Sequence, residues 1–225
     1  MIVLHGGNEF TPGCEKIDST ILSLFGISSS IVILPTAAAK QNPLKAANNG
    51  INYFKKLGFN AEKLMILNNN DANNFTVVNY LDNFNIIYFT GGDPDYLLKV
   101  LTNSLLIQKI KDKLINQECI LIGSSAGAMV FGVKMLRKRL VNTLGILNGL
   151  IVPHYESNKL ILDNFKIIEK FQNLTPVLGI DSKTSCFYNC GVLRVIGEGK
   201  VTLFYDDNKQ ILFNDQVVEL AKLTK

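Results

Sequence analysis

The sequence predicts an α/β fold, a doubly wound and mostly parallel sheet with helices on both faces and a C-terminal antiparallel extension. Three observations carry this. Short apolar runs rich in Ile and Val recur up to Asp181, each ending in Gly, Pro, Thr or Ser. Helical periodicities lie between them. Beyond Asp181 aromatic and β-branched residues dominate, broken by "GEGK" and "DDNK".

The runs are "MIVLHGG", "SIVILPTAAA", "EKLMIL", "NIIYFTGGD", "CILIGSSAG", "GLIVPH" and "TPVLGID". Continuous apolar runs, as opposed to alternating ones, suit strands buried on both faces of a parallel sheet. Over Lys40 to Leu57 the spacing of Ala47, Ile51 and Phe54 predicts a helix, and Ile161, Phe165 and Ile168 predict another over Glu156 to Leu174. A third is expected over Ser104 to Asn116, with Leu106, Ile110 and Leu114 on one stripe, and a fourth near Pro94. Strand alternating with helix means βαβ units. The two polar tetrapeptides of the tail read as hairpin turns. The Asn-rich Asn68 to Asn74 reads as a surface loop leading into a helix. With no linker, repeat or other biased tract, residues 1–225 are expected to form one domain.

Composition narrows the function classes. Charged residues are 19% of the chain and the net charge is +4, with the tightest basic run at Lys134 to Leu140. That run is too short and too apolar for a nucleic-acid arm. No apolar run approaches the ~18 residues a membrane span needs. The N-terminus lacks a basic region and reads as a first strand, not a signal peptide. Four cysteines, Cys14, Cys119, Cys186 and Cys190, fit a reducing cytoplasm. Cys186 and Cys190 lack the second ligand pair that a metal site would need and are expected to be buried structural thiols. Neither metal nor cofactor is expected.

Ligands of open α/β sheets bind where strands end at their carboxyl edges. "CILIG" is such a strand, and the "GSSAG" that follows brackets Ser125 between Gly123 and Gly127. Small residues there let the chain turn sharply from strand to helix and lift the hydroxyl out of the sheet. A serine that only caps a helix is the alternative. A nucleophilic serine needs a base, and the chain has two histidines. His5 ends the first strand. His154 is the better candidate, because it follows an apolar run and Pro153 and lies 29 residues downstream of Ser125, room for one crossover. No Asp or Glu lies between Ser125 and His154, which excludes the order Ser, acid, His of the α/β-hydrolases. Asp181, at a later strand end, is the candidate for the acid that orients the base; Glu156 and Asp163 are nearer in sequence but are expected to face along a helix. For an oxyanion hole, the Ala126 N–H follows the nucleophile, and "FTGGDPDYLL" offers Gly91 and Gly92 at a neighbouring strand end.

Together these residues resemble the serine peptidase family of aspartyl dipeptidase (dipeptidase E) and cyanophycinase, whose fold is similar to that of class I glutamine amidotransferases. "GSSAGA" matches the nucleophile motif at Ser125, "FTGGDPDYLL" the oxyanion segment at Gly92 and "VPHYES" the base at His154. "LGIDSKTS" is also similar to a later strand end. There are two departures. Ser182 stands where the cyanophycinase branch commonly has Glu, and the Asp that dipeptidase E carries between nucleophile and histidine is missing. The resemblance implies hydrolysis of small peptides through an acyl-enzyme, with a preference for an N-terminal aspartyl residue. Such a substrate calls for a cation, and the chain has three arginines, Arg137, Arg139 and Arg194. An esterase or amidase of the same fold and a non-catalytic binding member stay open. The expected partner is a small peptide, with neither nucleic acid nor membrane; a homodimer stays open.

Overall fold

The computed structural model describes residues 1–23, 29–157, 176–205, 208–220 and 223. Its main sheet is built on strands β1 (Ile2–His5), β2 (Ile31–Leu34), β3 (Ala61–Lys63), β4 (Ile86–Phe89) and β5 (Ile120–Ser124). A second sheet takes β6 (Lys134–Leu136), β7 (Leu140–Asn142), β8 (Leu150–Pro153) and β9 (Val177–Ile180). The tail adds β10 (Thr184–Asn189), β11 (Val192–Gly197), β12 (Val201–Tyr205), β13 (Asn208–Leu212) and β14 (Val217–Glu219). The eight-stranded sheet runs β14-β11-β10-β1-β5-β4-β2-β3, parallel from β1 to β3 and antiparallel from β1 to β14. The six-stranded sheet runs β13-β12-β9-β8-β6-β7.

The α/β class with a largely parallel sheet and an antiparallel tail is therefore as expected, with differences in detail. The runs at Leu150–Pro153 and Val177–Ile180 leave the main sheet and pair with each other in the second one. "GEGK" is no hairpin, because β11 and β12 belong to different sheets and the turn carries the chain between them. The basic run at Lys134 to Leu140 forms most of the β6–β7 hairpin, in which Met135 and Leu136 are buried while the cations stay at the rim.

All four residues of β1, β2 and β4 are buried, as two-sided packing requires. Side chains of one strand alternate between faces. Val3 joins Ile33, Tyr88 and Ile122 beneath α1 (Glu15–Ser23) and α2 (Pro43–Lys56), while Leu4, Val32 and Phe89 face α5 (Pro94–Leu101), α6 (Leu105–Ile115) and α7 (Ala126–Phe131). Helix starts follow local chemistry. Asn42, Asp93 and Ser104 cap α2, α5 and α6 with side-chain oxygens, and Pro occupies the first turn of α2 and α5. The Asn-rich stretch is itself helical at α3 (Asn69–Ala72), nucleated by a capping box between Asn68 and Asp71, with α4 (Phe75–Asn79) following. The helix expected over Glu156 to Leu174 lies outside the described residues beyond Ser157.

One buried carboxyl belongs to the fold. Asp18 on α1 is 1% exposed, and neither of its oxygens has a hydrogen-bond partner among the described residues. Burial pushes its pKa up to about 7. The folded chain therefore holds a proton that the unfolded chain releases near pH 4, and stability falls as pH rises between those values. Asp18→Asn is expected to abolish that component, worth up to about 1.4 kcal/mol per pH unit. Urea unfolding at pH 5 and pH 8 measures it; an identical pH dependence in both proteins would count against this account.

Candidate active site

β5 ends at Ser124, and the chain turns directly into α7 through Ser125, whose φ of 48° and ψ of −105° are unfavourable for any side chain. The turn is this tight because Gly123 has no side chain: a Cβ there would lie 2.5 Å from the Phe131 ring and 2.6 Å from the Gly127 carbonyl carbon. The Ser125 N–H donates to the His5 carbonyl at 3.0 Å, which ties the elbow to the neighbouring strand end. Ser125 is not acting as a cap, since its side chain accepts nothing from α7. Its Oγ lies 2.7 Å from His154 Nε2. Ser124 is fully buried and spends its hydroxyl on Glu9 Oε2 at 2.8 Å.

His154 follows β8, so the Ser125–His154 pair is assembled from strand ends of two different sheets. Its imidazole packs against Gly7: a Cβ on Gly7 would come within 1.9 Å of Cε1, and Gly7 has a φ of +115°. His5, the other histidine, serves the same loop. Its Nδ1 accepts the Gly7 N–H at 3.1 Å, and burial pushes its pKa down to about 4, against the pull of Glu9, so it stays neutral at neutral pH.

The orienting acid is a correction. The Asp181 Oδ2 accepts the Lys200 N–H at 3.2 Å, and it is Ser182 Oγ that lies 3.2 Å from His154 Nδ1. Adjacent residues leaving a strand project to opposite sides, so only one of Asp181 and Ser182 can face the ring. Ser182 in turn donates its N–H to Glu156 Oε2 at 3.1 Å.

Gly92 lies across the cleft from the elbow with a φ of +145°, and a Cβ there would strike the Ala37 carbonyl at 2.4 Å. Asp93 N–H binds that same carbonyl at 2.8 Å and Gly91 N–H binds Glu9 Oε1 at 2.7 Å, fixing the segment on either side of Gly92. Ala126 opens α7, where backbone N–H groups have no partner inside the helix. Gly92, Ser125, Ala126 and His154 all border one cleft of about 220 Å³, whose walls include Met129 and Ile151. Arg137 stands at its rim, its Nε at 2.9 Å and a terminal nitrogen at 2.8 Å from Asp95 Oδ2.

Sequence reasoning missed Gly7, Glu9 and Ser182. Gly7 and Glu9 act through contacts distant in sequence. Ser182 stood in plain view as a departure from the family pattern, and only the direction of its side chain reveals its place beside the ring.

The three buried cysteines are poor nucleophiles. Burial pushes the thiols of Cys14 and Cys119 up to about 11 and that of Cys186 higher still. Cys190, expected to be buried, is exposed in the β10–β11 turn with a φ of 47°. Among the described residues no three His, Cys, Asp or Glu side chains gather as a metal site, and no helix is long and apolar enough to cross a membrane.

The pattern of Peptidase family S51 matches residues 1–196. Among curated proteins, the chain is similar to "Cyanophycinase" of Geminocystis herdmanii, 25% identical over 221 residues that cover 90% of this chain and 79% of the relative. It is also similar to "Cyanophycinase" of Trichormus variabilis, 26% identical over 219 residues, covering 90% and 72%. Among solved structures, a peptidase from an acI-B1 Actinobacterium superposes with a TM-score of 0.81 at 24% identity, covering 97% of this chain and 96% of that one.

Proposed function

Because the chain belongs to peptidase family S51 and is a serine-type peptidase, we propose that Ser125 is its nucleophile and His154 its general base. The 2.7 Å contact between Ser125 Oγ and His154 Nε2, at the wall of an open cleft, carries this reading. A serine hydroxyl is a weak nucleophile until a base within hydrogen-bond reach takes its proton. Ser125 attacks the scissile carbonyl as His154 Nε2 accepts that proton. The oxyanion is met by the N–H groups of Gly92 and Ala126, fixed before the charge develops and so needing no reorganisation. His154 then protonates the leaving amine, and water, deprotonated in turn by His154, releases the acid.

The substrate is a small peptide with an N-terminal aspartyl residue. Support comes from the charge at the rim of the cleft. A second hollow of about 460 Å³ adjoins it, lined by Arg137, Lys138, Arg139, Asp95 and Val141. Three cations against one carboxylate leave this hollow positive, and Arg137 borders both spaces. A planar guanidinium can take a substrate carboxylate in a bidentate grip. Arg137→Met is expected to raise KM for aspartyl dipeptides about tenfold and to leave hydrolysis of an uncharged activated ester unchanged. Kinetics on dipeptides that differ in the first residue test this; equal loss on aspartyl and alanyl dipeptides would refute it. The free cysteines fit a reducing cytoplasm as the place of action.

A further inference from the structure

A hydroxyl occupies the place beside the base where a triad needs a carboxylate, and a carboxylate stands directly behind it. Ser182 Oγ is 3.2 Å from His154 Nδ1, and the Ser182 N–H is 3.1 Å from Glu156 Oε2. Glu156 lies two residues beyond His154, so one short turn presents the imidazole and also carries the carboxylate to Ser182.

We propose that Ser182 and Glu156 together replace the missing acid of the triad: Ser182 Oγ accepts the Nδ1–H of His154 and passes its own hydrogen bond to the Glu156 carboxylate. Both are positioning residues for the base, and the inference rests on the peptidase reading above. The hydrogen-bond inventory closes. An imidazole with its hydrogen on Nδ1 keeps the Nε2 lone pair free for the Ser125 hydroxyl at 2.7 Å. Ser182 has one hydrogen to give and lone pairs to receive with, and an ionised glutamate only accepts. The opposite tautomer would turn an N–H toward Ser125 and leave the nucleophile without a base. As His154 gains the Ser125 proton, the new positive charge is balanced across Ser182 by Glu156. The Nδ1 proton stays where it is, and the transferred proton leaves with the amine.

Glu156 is suited to this part. Partial burial works to raise its pKa, but the contacts with Ser182, whose N–H it accepts, and the nearby His154 outweigh it, and the carboxyl titrates below its ordinary value. Among the described residues, Asp181, Glu9 and His5 are placed otherwise. Asp181 holds Lys200 N–H, Glu9 holds Gly91 N–H and Ser124, and His5 is neutral.

The test uses Glu156→Gln, Ser182→Ala and the double variant Ser182→Glu with Glu156→Gln. Each single variant is expected to lose about 10- to 100-fold in kcat for an activated ester, with KM nearly unchanged, because an imidazole released from its tautomer is a poorer base. The double variant, with a carboxylate set directly on Nδ1, is expected to regain most of the loss. The tautomer itself is read by nitrogen-15 NMR, which is simple in a chain with two histidines. Wild type should show His154 protonated on Nδ1, and Glu156→Gln a mixture. Wild-type kcat and an unchanged tautomer in both single variants would overturn the proposal. A wild-type protein without esterase activity or fluorophosphonate uptake would overturn the peptidase reading instead, and the NMR comparison would still decide the part played by Ser182 and Glu156.

Discussion

Ser125→Ala is expected to lower kcat for peptide hydrolysis by roughly 10⁴- to 10⁶-fold while leaving the fold intact. The size follows from covalent catalysis: nucleophile and base act as a unit, so removing either forfeits nearly everything they achieve together. Residual rate enhancement would come from Gly92 and Ala126, whose N–H groups still polarise the carbonyl for attack by water. Stability should hold or rise. An alanine at a φ of 48° keeps the backbone strain but loses no hydrogen bond except that to His154. Ester and dipeptide kinetics beside a thermal melt separate the two effects. A kcat within tenfold of wild type would remove Ser125 from the mechanism.

The second large effect is expected at a residue with no side chain. Gly7→Ala places a methyl group where His154 Cε1 now lies, 1.9 Å from an ideal Cβ position, at a φ of +115° that L-residues avoid. The ring cannot tilt freely, because Nε2 is committed to Ser125 and Nδ1 to Ser182. A displacement of about 1 Å at a general base costs on the order of 10²-fold in rate. The backbone strain adds about 1–2 kcal/mol of destabilisation. The expected pattern is thus a large fall in kcat with a small fall in melting temperature, and unaltered kcat would mean that the imidazole does not depend on this contact. Gly7 also gives its N–H to His5 Nδ1, so a buried neutral histidine on one strand supports the loop against which His154, at the end of another, packs.

The sequence exposed those parts of the fold and site that depend on local signals. Buried runs such as Ile86–Phe89 announce central strands, Asn42 and Asp93 announce helix starts, and Gly123 with Gly127 announces the elbow that lifts Ser125. Division into two sheets was hidden, because β8 and β9 are as apolar as the strands of the main sheet and nothing local states which partners they take. The β6–β7 hairpin was hidden for a different reason. Its flanking cations resemble a solvated patch until Met135 and Leu136 are seen to be buried beneath it. At the site, Ser125 and His154 stood out because nucleophile chemistry restricts residue type so strongly. The side chain beside Nδ1 of His154 did not, because Asp181 and Ser182 are neighbours in the chain and only the twist of the strand end decides which of them meets the ring.

Mass spectrometry after treatment with a fluorophosphonate tests the central claim most directly, since it reports an activated serine without any choice of peptide. One adduct per chain, located on Ser125 and abolished by His154→Ala, is the predicted result. Folded protein that takes up no label, or takes it up on another residue, would contradict the account.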